Sequence, residues 1–96
     1  MSNVIEKAVQ ALNERLGDAG FDSVAKFVLE GAGTIVIDGA GARAGDDSAD
    51  VTLTASAEVF ERILAGELNP TGAFMSGKLA VDGDMGAAMR LGSLLA

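Results

Sequence analysis

The sequence predicts an α+β fold in which a sheet of short strands, mostly hairpin-linked, carries helices gathered on one face. Three observations predict it. Between Lys26 and Ala55 apolar residues alternate with polar ones in several short runs, the period of half-buried strands. Glycine-rich turns separate those runs. Both ends of the chain instead repeat apolar residues at helical spacing.

Residues Ser2 to Leu16 read as an amphipathic helix. Asn3 and Glu6 have the spacing of a capping box with Asn as the cap, and Val4 or Ile5, Ala8, Val9, Leu12 and Leu16 define the apolar side. Gly17 to Gly20 ends it. Phe21 to Glu30 leads into a strand in which Phe27 and Leu29 alternate with Lys26, Val28 and Glu30. Gly31-Ala32-Gly33 then fits a hairpin turn into Thr34 to Asp38, with Ile35 and Ile37 toward the core. Asp38 to Asp50 is glycine-rich and acidic, the composition of a loop, with room for a short edge strand around Ala42 to Ala44. Val51, Leu53 and Ala55 alternate with Thr52 and Thr54 in the next strand.

From Ser56 onward the pattern becomes helical. Ser56 caps a helix with Glu58 in its first turn, where the dipole favours negative charge, and Val59, Phe60, Ile63 and Leu64 recur until Gly66. Asn69-Pro70 begins a second short helix, because Asn caps well and Pro is tolerated at the first helical position. Lys78 to Asp82 alternates again, with Leu79 and Val81 on one face. Asp82-Gly83 turns the chain, and Asp84 caps a last helix bearing Met85, Ala88, Met89, Leu91 and Leu95 mostly on one side.

The composition removes whole classes of function. With 96 residues and no internal repeat, the expectation is one small domain spanning residues 1–96. A formal charge of −7 from 14 acidic and 7 scattered basic residues argues against nucleic acid, whose phosphates demand clustered Lys and Arg, and allows at most transient membrane contact. There is no His, Cys, Tyr or Trp, which rules out Ser-His-Asp and Cys-His catalysis and any His or Cys metal cluster. Asp46, Ser48 and Asp50 mimic the first ligands of a calcium loop, but Val51 stands where that loop needs Gly and Ala57 where it needs Glu, so a solvated turn is the better reading. Gly39-Ala40-Gly41 lacks both the third glycine and the following helix of a phosphate cradle. Turn plus helix cap accounts for Asp82 and Asp84 without a metal. No catalytic residue, metal or cofactor is expected. The charged N-terminal stretch and the lack of any long apolar run make a cytoplasmic protein the default.

The run Gly66 to Leu91, GELNPTGAFMSGKLAVDGDMGAAMRL, resembles the C-terminal signature of the sterol carrier protein-2 family. Three motifs follow in the family's order: Gly66 to Pro70, Ala73 to Lys78, and Gly83 to Gly86. Ala49 to Ser56 is similar to the family strand that leads into them. The resemblance implies a five-stranded, mostly antiparallel sheet with helices covering one face. It also implies an apolar tunnel between the two layers that takes fatty acid, acyl-CoA or sterol-like lipid without any enzymatic step. On that basis the expected wall is Phe60, Ile63 and Leu64 from the first helix of this half, Phe74 and Met75 from the second, Leu79 and Val81 from the strand, and Met85, Met89 and Leu95 from the last helix. Read from spacing alone these are core residues. Three of the four Met lie in this half, however, and unbranched thioethers adapt to guests of varied shape.

The chain departs from the family pattern in three places. Ile35 stands where a Trp is common, the acidic loop is its own, and the sequence stops soon after the last helix, from which the expectation is a tunnel end less fully closed. It ends Ser93-Leu94-Leu95-Ala96, unlike the peroxisomal address of many eukaryotic relatives. The implied partner is a hydrophobic small molecule, with a homodimer or a lipid-metabolising enzyme left open. The competing reading is an accessory or protein-interaction module that keeps this fold with a filled core.

Overall fold

In a computed structural model, which describes residues 3–17 and 20–95, the elements run α1 (Asn3–Leu16), β1 (Ala25–Glu30), β2 (Gly33–Asp38), β3 (Gly41–Ala44), β4 (Val51–Ser56), α2 (Ala57–Leu64), α3 (Pro70–Met75), β5 (Ala80–Gly83) and α4 (Met85–Leu95). The strands form one sheet in the order β3-β2-β1-β4-β5. Its pairings are antiparallel except at the centre, where β1 and β4 run parallel from Ala25 beside Val51 to Glu30 beside Ser56. The expected α+β architecture, a mostly antiparallel five-stranded sheet under helices, is the one observed.

Period-two alternation decides which sheet face is covered. Ala25, Phe27 and Leu29 of β1 and Val51, Leu53 and Ala55 of β4 are buried, and the residues between them are partly or fully exposed. Ile5, Ala8, Leu12 and Leu16 of α1 are buried in the same core, with Val4 and Val9 half-buried beside them. The capping box expected at Asn3 and the helix start at Ser2 lie outside the described side chains. Asn13 joins α1 to the sheet's edge: its Oδ1 accepts from the Ala42 N–H at 2.8 Å and its Nδ2 donates to the Ala42 carbonyl at 3.0 Å. Both backbone groups of an edge-strand residue are thereby satisfied.

The edge strand expected at Ala42 to Ala44 is present and begins one residue earlier, at Gly41. The rest of the acidic segment straps the opposite sheet face on its way from β3 to β4. Gly45 N–H donates to the Thr34 carbonyl at 3.1 Å, Lys26 Nζ pairs with Asp46 Oδ1 at 3.0 Å, and Val24 N–H donates to Asp50 Oδ2 at 3.0 Å. Val36, the register partner of Lys26, is fully buried beneath that strap although it points away from Ile35 and Ile37. The carboxylates of Asp46 and Asp50, weighed above as cation ligands, are thus engaged with the chain itself.

Candidate functional site

The second half of the helical cover is assembled from short pieces, each fixed locally. Ser56 Oγ accepts from Val59 N–H at 3.2 Å and starts α2, which buries Phe60 and Ile63. Gly66, at φ 79°, lets the chain leave that helix in the left-handed region. Asn69 Oδ1 then accepts from Thr71 N–H at 2.8 Å and Gly72 N–H at 3.4 Å, with Pro70 at the first position of α3. Lys78 and Leu79 N–H groups both donate to the Ala73 carbonyl, at 2.8 and 3.1 Å, which folds the end of α3 back toward β5. Leu79 is buried just before that strand begins. Gly83 closes β5 at φ 108° so near the Asp50 carbonyl that a Cβ there would collide with backbone. Asp84 Oδ1 next accepts from Gly86 N–H at 2.9 Å and Ala87 N–H at 3.2 Å and starts α4.

Between these pieces and the sheet lies a cavity of about 310 Å³. Its floor is Phe27, Leu53 and Val81, one residue from each of three adjacent strands on the covered face. Ile63 of α2 and Leu79 contribute to the sides. Pro70, Thr71, Phe74 and Met75 of α3 face Met85, Ala88, Met89, Gly92 and Leu95 of α4. Among the described residues no charged one lines it, and Thr71 is the one lining residue with a polar side chain. Large apolar side chains of the wall are left in water: Phe74 is 41% exposed, Met75 81%, Met85 45% and Met89 72%. They sit on the two helices that flank the opening, where ordinary packing would bury them.

Eight of the ten side chains expected in the wall border this cavity: Ile63, Phe74, Met75, Leu79, Val81, Met85, Met89 and Leu95. Phe60 does not. It is fully buried against Phe27, ring centroids 4.7 Å apart and planes tilted by 58°, so it packs on a floor residue without bordering the cavity itself. Leu64 is half-buried at the end of α2, away from the cavity, and its carbonyl accepts from the Arg15 guanidinium. Arg15 also donates to the Leu95 carbonyl at 2.6 Å, tying α1 to the last turns of α2 and α4 together.

Sequence reasoning missed Phe27, Leu53, Pro70, Thr71, Ala88 and Gly92. Phe27 and Leu53 were marked as core by alternation, but nothing local says that the parallel β1–β4 pair lies beneath α3 and α4. Ala88 and Gly92 form wall by being small, which leaves room, and smallness carries no periodic signal.

Known proteins show the same sequence pattern and the same arrangement of elements. The SCP-2 sterol transfer family matches residues 4–96. The chain belongs to that family. Among solved SCP-2 structures, the solution structure of sterol carrier protein-2 from Aedes aegypti in complex with the fatty acid palmitate superimposes with a TM-score of 0.78 at 25% identity, covering 100% of this chain and 97% of that one. Sterol carrier protein domain 2 of Helicoverpa armigera gives 0.74 at 29% identity over 96% and 85%. Among curated relatives, hydroxysteroid dehydrogenase-like protein 2 of Bos taurus is 33% identical over 105 residues, and peroxisomal multifunctional enzyme A of Dictyostelium discoideum 43% identical over 65. The matched regions are 98% and 68% of this chain but 25% and 14% of those proteins, so the SCP-2 chain spans a quarter or less of the length of these relatives. Among the described residues no helix is long and apolar enough to cross a membrane.

Proposed function

We propose that the chain binds and carries lipids, whether fatty acid, acyl-CoA or sterol-like, in the cavity between sheet and helices, with no covalent step. The observation that carries this reading is the uncharged cavity flanked by exposed Phe74, Met75, Met85 and Met89. About 310 Å³ lies at the low end of the roughly 300–1,000 Å³ usual for small-molecule sites. Each methylene moved from water into such a wall gains about 0.8 kcal/mol, so a long chain binds without polar anchors. The palmitate held by the Aedes aegypti relative supports the same use. The matching segments within longer relatives support a lipid-metabolising enzyme as a partner. The proposed setting is the cytoplasm, which suits a chain without Cys.

Native mass spectrometry of freshly purified protein, followed by extraction, is expected to recover bound lipid. Added fatty acid near ~100 µM is expected to raise Tm, because a ligand at about 100 times its Kd stabilises the folded state by about 2.7 kcal/mol. No bound lipid and no rise would leave the accessory or protein-interaction module as the reading. Phe74→Asp places a charge at the opening and is expected to weaken lipid uptake about tenfold, about 1.4 kcal/mol, while Tm stays close to that of the unaltered chain. Unchanged uptake in the folded variant would take Phe74 out of the wall.

A further inference from the structure

Gly92 stands in the cavity wall at a place where the backbone does not require glycine. It lies within α4, three residues before Leu95, and its φ is outside the left-handed region that accounts for glycine at positions such as Gly66 and Gly77. In a helix interior glycine is less stable than alanine, because its backbone loses more freedom on folding.

Close packing does not demand it either. At Gly20 and Gly83 an added Cβ would run into the Gly39 and Asp50 carbonyls. At Gly92 it would meet a single atom within 4 Å, the Cβ of Pro70 on α3 at 3.8 Å, which is ordinary van der Waals contact. Gly92 is half-buried and borders the cavity, so a side chain there would occupy space that is now empty. Ala88, one turn earlier on the same face of α4, borders the same space and is also small.

We infer that Gly92 sets the length of apolar chain the cavity accepts, by leaving open the room between α4 and Pro70 at the expense of helix stability. This rests on the lipid-carrier reading and deepens it to a preference in chain length. Each methylene that finds room inside raises affinity about fourfold, and one that finds none stays in water and adds little. In a close-packed wall a side chain at this position replaces ligand carbons about one for one, so Ala removes room for about one methylene and Leu for about four.

The test is calorimetric titration of the unaltered chain, Gly92→Ala and Gly92→Leu with saturated fatty acids of every length from octanoate to octadecanoate, together with thermal unfolding of the three ligand-free proteins. In the unaltered chain affinity is expected to climb with length and then level off. G92A is expected to raise Tm by about 4 °C and to bring the levelling-off about one carbon earlier. G92L is expected to bring it about four carbons earlier, with octanoate bound as before and the longest acids at least about tenfold more weakly. The same length profile in all three folded proteins would overturn the inference and leave the carrier reading standing. Should G92L fail to fold, G92A decides: a fall in Tm with an unchanged profile would assign Gly92 to the packing of α3 on α4 and overturn the inference. Failure of the unaltered chain to bind any of the acids would remove the carrier reading, and the inference with it.

Discussion

The two halves of the helical cover lie on one sheet face and do opposite things with it. Over β2 and β3, α1 is a single helix of 14 residues whose Ile5, Ala8, Leu12 and Leu16 are all buried in a core with Ile35, Ile37 and Ala42. Over the other half, the cover is divided between α2, α3 and α4, α3 having only 6 residues, and a cavity remains between cover and sheet. The first half also fastens its edge through Asn13 and Ala42. The second leaves Met75 and Met89 mostly in water. A continuous helix with branched side chains every turn fills the space above a sheet. Short helices carrying Ala88, Gly92 and flexible Met do not, and the missing volume becomes the site.

The comparison breaks first at its solid side. Leu12→Ala removes a fully buried side chain from α1, and Tm or denaturant midpoint should report a loss of about 2–5 kcal/mol. A much smaller loss would mean that this half is looser than its burial indicates. Arg15→Ala comes next. It removes charged donors to the Leu64 and Leu95 carbonyls, worth about 1.5–3 kcal/mol each before relaxation, so a net drop of about 2 kcal/mol is expected in the same measurement.

The hollow side should respond the other way round. Met75→Ala with Met89→Ala is expected to change stability by less than about 0.5 kcal/mol, since both side chains are largely exposed, yet to weaken lipid binding several-fold in a titration. A large loss of Tm without loss of binding would show that these residues serve packing. The smallest effect concerns neither half. The hydrogen bond from Arg43, then that from Ala40 N–H, holds the Asp38 carboxyl below the ordinary aspartate range, against the opposing effect of desolvation. A carboxyl depressed in the folded state adds stability above its unfolded pKa and loses it as pH falls through the folded value. Asp38→Asn should therefore lower stability slightly at neutral pH, with the difference from the unaltered chain vanishing as pH falls through the folded value; a difference that persists in acid would show a role beyond this exposed pair.

Much of the fold was legible because strands and caps leave local marks. Alternation identified the covered face of β1, β2 and β4, and Ser56, Asn69 and Asp84 act as the caps their positions suggested. The parallel contact of β1 with β4 was not legible, since a turn-by-turn reading proposes hairpins and the strap from Gly45 to Asp50 leaves no sequence sign of which strand it reaches. The site was partly legible for a related reason. The apolar stripes on α2, α3 and α4 named Ile63, Phe74, Met75, Met85, Met89 and Leu95 of the cavity border, and the strand alternation added Leu79 and Val81, but the same helical spacing put Phe60 and Leu64 there too. Periodicity tells which side of a helix faces inward and not whether a neighbour already fills that space, as Phe27 does for Phe60.

The residues by themselves determined the class of the fold, the starts of its later helices and the absence of any histidine or thiol chemistry, because propensity, capping and side-chain reactivity act within a few positions of chain. Only the tertiary arrangement decided that Phe27 and Leu53 meet α3 and α4 across an unfilled gap, and that Phe60 does not. A void is a difference between the volume that distant elements enclose and the volume their side chains occupy, and no local stretch of sequence contains both.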